Sequence, residues 1–286
     1  MRVLVTGTAG QLGYDLMREL NKRQIESVGT DRTDFDITDA RAAEKFIMNV
    51  KPDAVIHCAA YTAVDAAEDN VGLCRKINVD GTENIAKICA KIAAKMIYIS
   101  TDYIFGISCP STSGGAFAGV KPYEVDDIPN PLNVYGQSKL DGELAVKKYL
   151  QKYFIVRTSW VFGKNGNNFV KTMLRLGKER EQLNVVDDQI GSPTYTVDLA
   201  KLLVDMIQTE KYGVFHASNE GYCSWAEFAA EIMQQAGLKC KIVPITSAEY
   251  PVKAKRPFNS RLSKNCLDKN GFARLPSWQD GLKRYL

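Results

Sequence analysis

The sequence is poor in the features that mark several specialised protein classes. Its seven cysteines are scattered and never spaced as C-x-x-C, which argues against a metal site or a disulfide framework. Only ten prolines in 286 residues, with 45% hydrophobic and 24% charged residues, argue against a disordered chain. A net charge of +4 is too small and too dispersed to indicate nucleic-acid binding.

Long apolar runs are absent as well. No stretch reaches the length of a membrane span, and the chain starts with a structural strand that leaves no room for a signal peptide. We therefore expect a cytoplasmic protein with no membrane partner. The length allows a large core, either as one α/β domain or as a main domain with a smaller partner.

The first stretch of the chain carries a phosphate-binding pattern. Arg2–Thr6 is a short apolar run, and Gly7, Gly10 and Gly13 follow it with the spacing GxxGxxG before a helical pattern begins. The first glycine suits unusual backbone angles, the second lets the main chain approach a pyrophosphate, and the third lets the helix pack closely on the sheet. A structural turn is the alternative. The order strand, turn, helix favours a dinucleotide site at the helix N-terminus.

The second strand, over residues 25–30, ends where the choice of cofactor is made. Asp31 would accept hydrogen bonds from an adenosine ribose and repel a 2′-phosphate, whereas Arg32 could hold that phosphate. The two side chains favour opposite cofactors, so the choice between NADH and NADPH stays open. In the following loop, Asp36 and Ile37 are candidates to flank the adenine.

Residues 53–60 form a buried strand that ends in small residues and leads into a loop over residues 61–65. Ligands bind at this end of the strands in open α/β sheets. His57 lies inside the apolar strand and is more typical of packing than of catalysis. A long helix is predicted over residues 71–93, with Asn78 on its apolar face. That amide either holds a neighbouring loop or is a satisfied core group.

The fourth strand, over residues 96–100, leads into a polar stretch at the same edge. Thr101, Asp102 and Tyr103 bring a hydroxyl, a carboxylate and a phenol to the expected ligand site. Residues 106–120 show no periodicity and predict a long surface loop, either a lid or a tolerated insertion.

Tyr135 and Lys139 are four residues apart at the start of a predicted helix, so both project from one face. A nearby ammonium stabilises phenolate, and we expect it to lower the tyrosine pKa towards working pH. The pair then makes a proton donor. The spacing also occurs by chance, but four β/α units and the glycine pattern precede it here.

The later part of the chain offers weaker candidates. Trp160 follows a strand over residues 154–158 and either stacks on a sugar or base or packs ordinarily. Arg256 and Arg261 either clamp a diphosphate or are surface charge.

Together these motifs resemble the extended short-chain dehydrogenase/reductase superfamily and, more narrowly, the dTDP-4-dehydrorhamnose reductase family. The narrower resemblance rests on five segments in order: AYTAVD (60–65), STDYIF (100–105), NPLNVYG (130–136), RTSWV (157–161) and DQIGSPT (188–194). It runs nearly end to end. The expected fold is α/β, a Rossmann-type doubly wound parallel sheet. Residues 1–160 would form the dinucleotide-binding domain. Residues 161–286 would form a smaller, mainly substrate-binding α/β region, with some segments returning to the core.

The resemblance implies the last step of dTDP-L-rhamnose biosynthesis, in which NADPH or NADH reduces the 4-keto group of dTDP-4-dehydro-L-rhamnose. Tyr135 would protonate the developing alkoxide, Thr101 would hydrogen-bond the same oxygen, and Lys139 would hold the nicotinamide ribose and tune Tyr135. The implied cofactor-binding residues are Gly7, Gly10, Gln11, Leu12, Gly13, Asp31, Arg32, Asp36, Ile37, Ala59, Ala60, Tyr61, Tyr135 and Lys139. The implied substrate-binding residues are Thr62, Val64, Asp102, Tyr103, Trp160 and Arg256.

The chain departs from the family in two places. The loop over residues 106–120 is longer than expected, and Gly106 stands where an Asp-Gly turn usually follows the phenylalanine. Some family members dimerise through magnesium held by surface carboxylates. Asp15 could match one such ligand, but no counterpart is evident for the others. We therefore expect no metal site, with magnesium possible but not required, in a monomer or homodimer.

Two other functions are compatible with parts of the pattern. One is a different sugar-nucleotide epimerase or dehydratase of the same superfamily, although Tyr103 stands where a dehydratase would carry glutamate. The other is a non-catalytic regulatory subunit that keeps the dinucleotide site, because the family resembles the regulatory subunit of methionine adenosyltransferase. The presence of Thr101, Tyr135 and Lys139 argues against the regulatory function.

Overall fold

The computed structural model describes residues 1–106 and 121–286. Except for Gly106, the loop predicted over residues 106–120 lies outside the described residues. The main sheet has six parallel strands in the order β10-β5-β4-β3-β1-β2. Its strands are β1 (Arg2–Thr6), β2 (Glu26–Thr30), β3 (Ala54–His57), β4 (Lys95–Thr101), β5 (Tyr153–Thr158) and β10 (Gly213–His216).

The remaining strands form three two-stranded sheets. They are β6 (Val161–Phe162), β7 (Gln182–Val186), β8 (Ile190–Gly191), β9 (Thr194–Tyr195), β11 (Cys223–Ser224) and β12 (Lys241–Ile245). The α-helices are α1 (Gln11–Lys22), α2 (Ala40–Val50), α3 (Val64–Ala67), α4 (Val71–Arg75), α5 (Thr82–Lys91), α6 (Val134–Tyr149), α7 (Phe169–Glu179), α8 (Thr196–Ile207), α9 (Trp225–Gln235), α10 (Asn265–Lys269) and α11 (Trp278–Tyr285). A π-helical segment spans Lys76–Gly81, and single 3-10 turns span Asp102–Ile104 and Ser247–Glu249.

Helices cover both faces of the main sheet, as a parallel sheet requires. Successive residues of β1 alternate between the two cores: Val3 and Val5 pack with α1 and α8, and Leu4 packs with α2 and α5. The strand order reverses between β1 and β3, which opens a crevice at their carboxyl ends. The predicted Rossmann-type doubly wound sheet is confirmed.

The second half of the chain contributes to two places in the molecule. β10 completes the main sheet beside β5, and α8 packs against α1 in the first core. Helices α7, α9 and α11 surround a separate core, which includes Phe162, Phe228 and Trp278. Within residues 1–106 and 121–286, no helix has both the length and the apolar character needed to cross a membrane.

The helix predicted over residues 71–93 is interrupted. The chain forms α4, then the π-helical segment, then α5, and it leaves the helix at Ile92. Asn78 lies in the π segment, where widened turns commonly mark functional sites. Hydrophobic periodicity indicates that a helix is present, but it does not reveal one inserted residue in a turn. The sequence reasoning also missed β12 and α10.

Candidate active site

The crevice at the carboxyl ends of β1, β3 and β4 is a cleft of about 1090 Å³. It is lined by every residue predicted from the sequence to bind cofactor or substrate except one. These are Gly7, Gly10, Gln11, Leu12, Gly13, Asp31, Arg32, Asp36, Ile37, Ala59, Ala60, Tyr61, Thr62, Val64, Thr101, Asp102, Tyr103, Tyr135, Lys139 and Trp160. The exception is Arg256.

The glycine turn leaves no room for side chains at two of its positions. Gly7 has φ +75°, and a Cβ there would lie 2.7 Å from the backbone nitrogen of Ala59. A Cβ on Gly13 would lie 2.3 Å from the carbonyl oxygen of Gly7. At the helix N-terminus, the Gln11 side-chain oxygen accepts from the Gly163 amide at 2.8 Å, which ties the turn to the segment after β6.

At the far end of the cleft, Asp31 is occupied by its own turn. Its Oδ1 accepts from the Thr33 amide at 2.7 Å and the Thr33 hydroxyl at 2.8 Å, and these bonds lower the carboxyl pKa. Hydrogen bonds from Thr38 lower the pKa of Asp36, and the nearby cations Lys76 and Arg32 lower it further. Lys76 lines the cleft. No local pattern predicts this position, because Lys76 lies in the π segment, far in sequence from the loop that holds Asp31 and Asp36.

Asn78 fixes the loop that follows β3. Its Oδ1 accepts from the Tyr61 amide at 2.8 Å, and its Nδ2 donates to the Tyr61 carbonyl at 3.1 Å and to the Ser138 hydroxyl at 2.9 Å. Of the two roles considered for this amide, the structure therefore shows that of holding a neighbouring loop. The loop lies in the cleft beside helix α6.

Thr101 at the end of β4 and Tyr135 and Lys139 on α6 line the same part of the cleft. Asn133 caps α6 by accepting from the Gly136 amide at 2.8 Å, which sets the start of the helix and thereby its face. The hydroxyl of Tyr135 is hydrogen-bonded to Thr101. One turn further on, the Lys139 ammonium lies 4.0 Å from the ring centre of Tyr98.

Burial dominates the protonation of this group. It raises the pKa of Tyr135 above the ordinary value of 10, and the hydrogen bond between Tyr135 and Thr101 opposes the shift only in part. Burial lowers the pKa of Lys139 to about 7, against the attraction of Glu143. The expectation that Lys139 brings the Tyr135 pKa down is wrong for this arrangement, because desolvation disfavours both charged forms. Tyr135 is a protonated donor at ordinary pH.

Asp102 adds a buried carboxyl beside the same hydroxyls. Its Oδ1 accepts from Thr101 at 3.0 Å, while its Oδ2 has no hydrogen-bond partner in the described part of the chain. Burial raises its pKa to about 6, although the hydroxyls of Ser260 and Thr101 act in the other direction. A buried acceptor of this kind suits a hydroxyl donor from a ligand.

A buried ion pair lies beneath these groups, and the sequence reasoning missed it. Arg157 donates to both oxygens of Glu143 at 2.9 Å, and Ser100 donates to the same carboxylate at 2.6 Å. The network joins β5, α6 and β4 directly behind Thr101. A charged residue one turn after Lys139 on the same helix face was the available signal.

Arg256, which was predicted to bind substrate, does not line the cleft. Its guanidinium donates to the Tyr103 hydroxyl at 2.8 Å and to Asp65 at 2.5 Å, outside the cleft lining. Arg261 also lies outside the lining and donates to the side-chain oxygen of Asn259 at 2.7 Å. The partners of Arg256 come from α3 and from the turn after β4, which no local pattern in the tail could indicate.

Trp160 takes a backbone conformation that is rare for a bulky side chain, with φ +47°. Its ring stacks on Trp225, with ring centres 3.6 Å apart and planes 12° apart. Strained backbone of this kind costs about 1–3 kcal/mol and is concentrated at functional sites.

The carboxylate considered for magnesium does not face the surface. Asp15 is 3% exposed and accepts from the Thr196 hydroxyl at 2.5 Å. In the described ranges, no group of three or more His, Cys, Asp or Glu side chains could hold a metal ion.

A family model described as the RmlD substrate binding domain matches residues 1–286. The chain belongs to this family. The dTDP-4-dehydrorhamnose reductase of Aggregatibacter actinomycetemcomitans is 40% identical over 300 residues, covering 99% of this chain and 97% of that protein. The spore coat polysaccharide biosynthesis protein SpsK of Bacillus subtilis is 39% identical, covering 100% and 96%.

A solved structure of a relative has the same fold. The crystal structure of dTDP-4-dehydrorhamnose reductase from Bacillus anthracis in complex with NADP superimposes with a TM-score of 0.93. It is 45% identical and covers 99% of this chain and 98% of its own. The glycine turn of the present chain fits a nicotinamide dinucleotide, because tight backbone packing at Gly7 and Gly13 holds the N-terminus of α1 at the cleft, where its amides can bind a pyrophosphate.

Proposed function

We propose that this member of the RmlD family reduces dTDP-4-dehydro-L-rhamnose to dTDP-L-rhamnose with NADPH or NADH, the last step of dTDP-rhamnose biosynthesis. The hydrogen-bonded hydroxyls of Thr101 and Tyr135, in the same cleft as the glycine turn, carry the proposal. Full-length relatives bearing the reductase name support the choice of substrate.

When bound, the nicotinamide supplies a hydride to the C4 carbonyl carbon of the sugar. Tyr135 donates its proton to the C4 oxygen, because burial keeps the phenol protonated. Thr101 hydrogen-bonds the same oxygen, and Lys139, one turn away, would hold the nicotinamide ribose. Addition of one hydride and one proton turns the ketone into the alcohol, with no other group consumed.

The sugar would lie between β4 and the segment after β5. The Oδ2 atom of Asp102 is an open acceptor for a sugar hydroxyl, and Tyr103 and Trp160 would form the walls, with Thr62 and Val64 beside them. Arg256 is bound to Tyr103 and Asp65, so we assign it the task of holding Tyr103 instead of the diphosphate contact first expected.

The adenosine end supports both cofactors with an advantage for NADPH. One of the two Asp31 carboxylate oxygens, Oδ1, already accepts two hydrogen bonds from Thr33, which leaves Oδ2 for a ribose hydroxyl. Arg32 and Lys76 both line this end and bring two positive charges to the place of a 2′-phosphate.

The six described cysteines are free thiols, which supports a reducing compartment, and we propose the cytoplasm. The protein would work there as a monomer or homodimer. Magnesium would not be required for turnover.

The deciding experiment mixes the protein with the keto sugar nucleotide and NADPH or NADH, with and without magnesium, and follows the loss of reduced-nicotinamide absorbance. Rapid oxidation supports the reductase, and comparison of the two cofactors gives the preference. Absence of oxidation in protein that still binds the cofactor would contradict the proposal. It would indicate another sugar nucleotide, or a regulatory protein that keeps the site without using it.

A further inference from the structure

We propose that Trp225 and Gly191 are positioning residues that hold the Trp160 indole as a fixed wall of the sugar subsite. The inference rests on the proposed function, because it assumes that a sugar nucleotide occupies the cleft beside Trp160. Neither Trp225 nor Gly191 lines the cleft, so each acts on a ligand only through Trp160.

The first contact is with Trp225, which covers one face of the Trp160 indole. Trp225 stacks on Trp160 at 3.6 Å between ring centres and is backed in turn by Phe169, at 4.7 Å. Phe169 stacks on Phe228, a fully buried side chain of the second core. The stack therefore connects Trp160 to a rigid core.

The second contact fixes the ring from Gly191. A Cβ at this position would lie 2.6 Å from Cε2 of Trp160, 2.8 Å from Cζ2 and 2.9 Å from Nε1. Gly191 has no positive φ, so the need for glycine is one of space and not of backbone conformation. Its main chain lies against the indole.

The two contacts are held in register by one small sheet. Gly191 of β8 pairs with Cys223 of β11, and β11 runs directly into Trp225. A third constraint comes from the backbone, since the Thr194 amide donates to the Trp160 carbonyl at 3.1 Å. These contacts prevent the Trp160 ring from moving when a ligand binds. A mobile ring would orient the sugar less precisely for reaction.

The test uses Trp225→Leu, Trp225→Phe and Gly191→Ala, with Trp278→Phe as the matched control. Trp278 is buried in α11, outside the cleft lining, and its ring lies 5.6 Å from that of Phe228, so this variant disturbs the second core without touching the Trp160–Trp225 stack. Each variant is assayed for the KM of the sugar nucleotide, the KM of the cofactor and kcat. Calorimetric binding of dTDP-L-rhamnose measures affinity without turnover, and near-ultraviolet circular dichroism reports the coupling of the stacked indoles.

We expect Trp225→Leu to abolish the coupled signal and to raise the KM and Kd for the sugar nucleotide about tenfold, with the cofactor KM unchanged. Trp225→Phe should show a smaller effect in the same direction. Gly191→Ala should also raise the KM and Kd for the sugar nucleotide, although Trp225 is still present, because the new methyl group displaces the Trp160 ring. Trp278→Phe should leave all these constants and the coupled signal intact.

In the Trp225→Leu, Gly191→Ala double variant, the increases in KM and Kd for the sugar nucleotide should not add. Once Trp160 has lost its stacking partner, displacement of the ring by the new methyl group has a smaller effect. Unchanged sugar-nucleotide constants in a folded variant that has lost the coupled signal would overturn the positioning role alone. Equal loss of sugar and cofactor affinity would also overturn it, because that pattern marks general damage to the fold. Wild-type protein that neither binds nor reduces the sugar nucleotide would overturn the proposed function itself.

Discussion

Burial acts on the reacting side chains one by one, and it does not favour the charged form of any of them. Tyr135 stays protonated, Lys139 has its pKa lowered to about 7, and Asp102 has its pKa raised to about 6. At neutral pH Tyr135 is therefore uncharged, whereas Asp102 and Lys139 titrate much closer to neutrality than an exposed carboxyl or ammonium would. Proton donation by Tyr135 depends on its position beside Thr101 more than on an acidified phenol.

Removal of the donor hydroxyl tests this directly. Tyr135→Phe should lower kcat about 10²- to 10⁴-fold, because the proton donor is lost while the ring and helix stay in place. The dissociation constant of the dinucleotide should change little. Tyr149→Phe is the control, since that hydroxyl bonds Glu83 away from the cleft. A Tyr135→Phe protein with near-normal turnover would refute the assignment of the acid.

Asp102 should make stability depend on pH. Its pKa is raised on folding from 3.8 to about 6, so its contribution to stability is fully present below 3.8 and is lost as pH rises through 6. The loss is on the order of 3 kcal/mol. Asp102→Asn cannot ionise, and the Tm of the variant relative to wild type should rise between pH 4 and pH 8 by several degrees. A pH-independent difference in thermal unfolding would contradict the raised pKa.

Arg32 should contribute to the cofactor preference. Arg32→Ala should raise the KM for NADPH about tenfold and leave that for NADH nearly unchanged, because only NADPH carries the 2′-phosphate. Steady-state kinetics with both cofactors measures this. Arg180→Ala, an exposed arginine outside the cleft lining, controls for the loss of one positive charge. An equal rise in the KM values for NADPH and NADH would show that Arg32 does not bind the 2′-phosphate.

At the scale of elements, the π-helical segment gives the loop after β3 its anchor. From that segment, the Asn78 side chain accepts a hydrogen bond from the backbone amide of Tyr61 and donates one to its backbone carbonyl. Asn78→Ala should leave the Tyr61 amide unsatisfied, with a loss of about 1–3 kcal/mol in the free energy of unfolding. The KM for the cofactor should rise with it, because Ala59, Ala60 and Tyr61 line the cleft.

Urea unfolding and cofactor titration measure the two effects. Asn21→Ala, on an exposed position of α1, is the matched control. Should Asn78→Ala lose stability with unchanged cofactor affinity, the amide would be a core group without influence on the loop.

Local pattern could predict the elements that follow a single period. The short apolar strands, the glycine turn and the spacing of Tyr135 and Lys139 depend on neighbours in sequence, and the glycine turn, Tyr135 and Lys139 line the cleft at the ends of those strands. The contacts of Lys76, of Arg256 with Asp65, and of Arg157 with Glu143 join distant segments. Such contacts depend on the packing of whole elements, and a periodic pattern carries no information about them.

At the scale of the whole molecule, the main sheet is completed late in the sequence. Its edge strand β10 begins at Gly213, and the first core includes Leu267, Phe272 and Leu275 from near the C-terminus. A fragment of residues 1–160 should therefore fail to form a stable domain, because it keeps α1 but lacks α8, β10 and the C-terminal side chains that complete this core. Circular dichroism and limited proteolysis of the fragment would show this. A cooperative thermal transition in the isolated fragment would contradict it.

The same connection sets an order of events during synthesis. The glycine turn leaves the ribosome first, yet Phe272 and Leu275, which belong to the same core as β1, are among the last residues to be made. Part of one apolar face of the sheet therefore stays exposed for most of translation, and contacts between residues far apart in sequence form slowly. Chaperones that hold exposed apolar surface are then expected to matter more for the yield of this protein than for one whose first domain closes on itself.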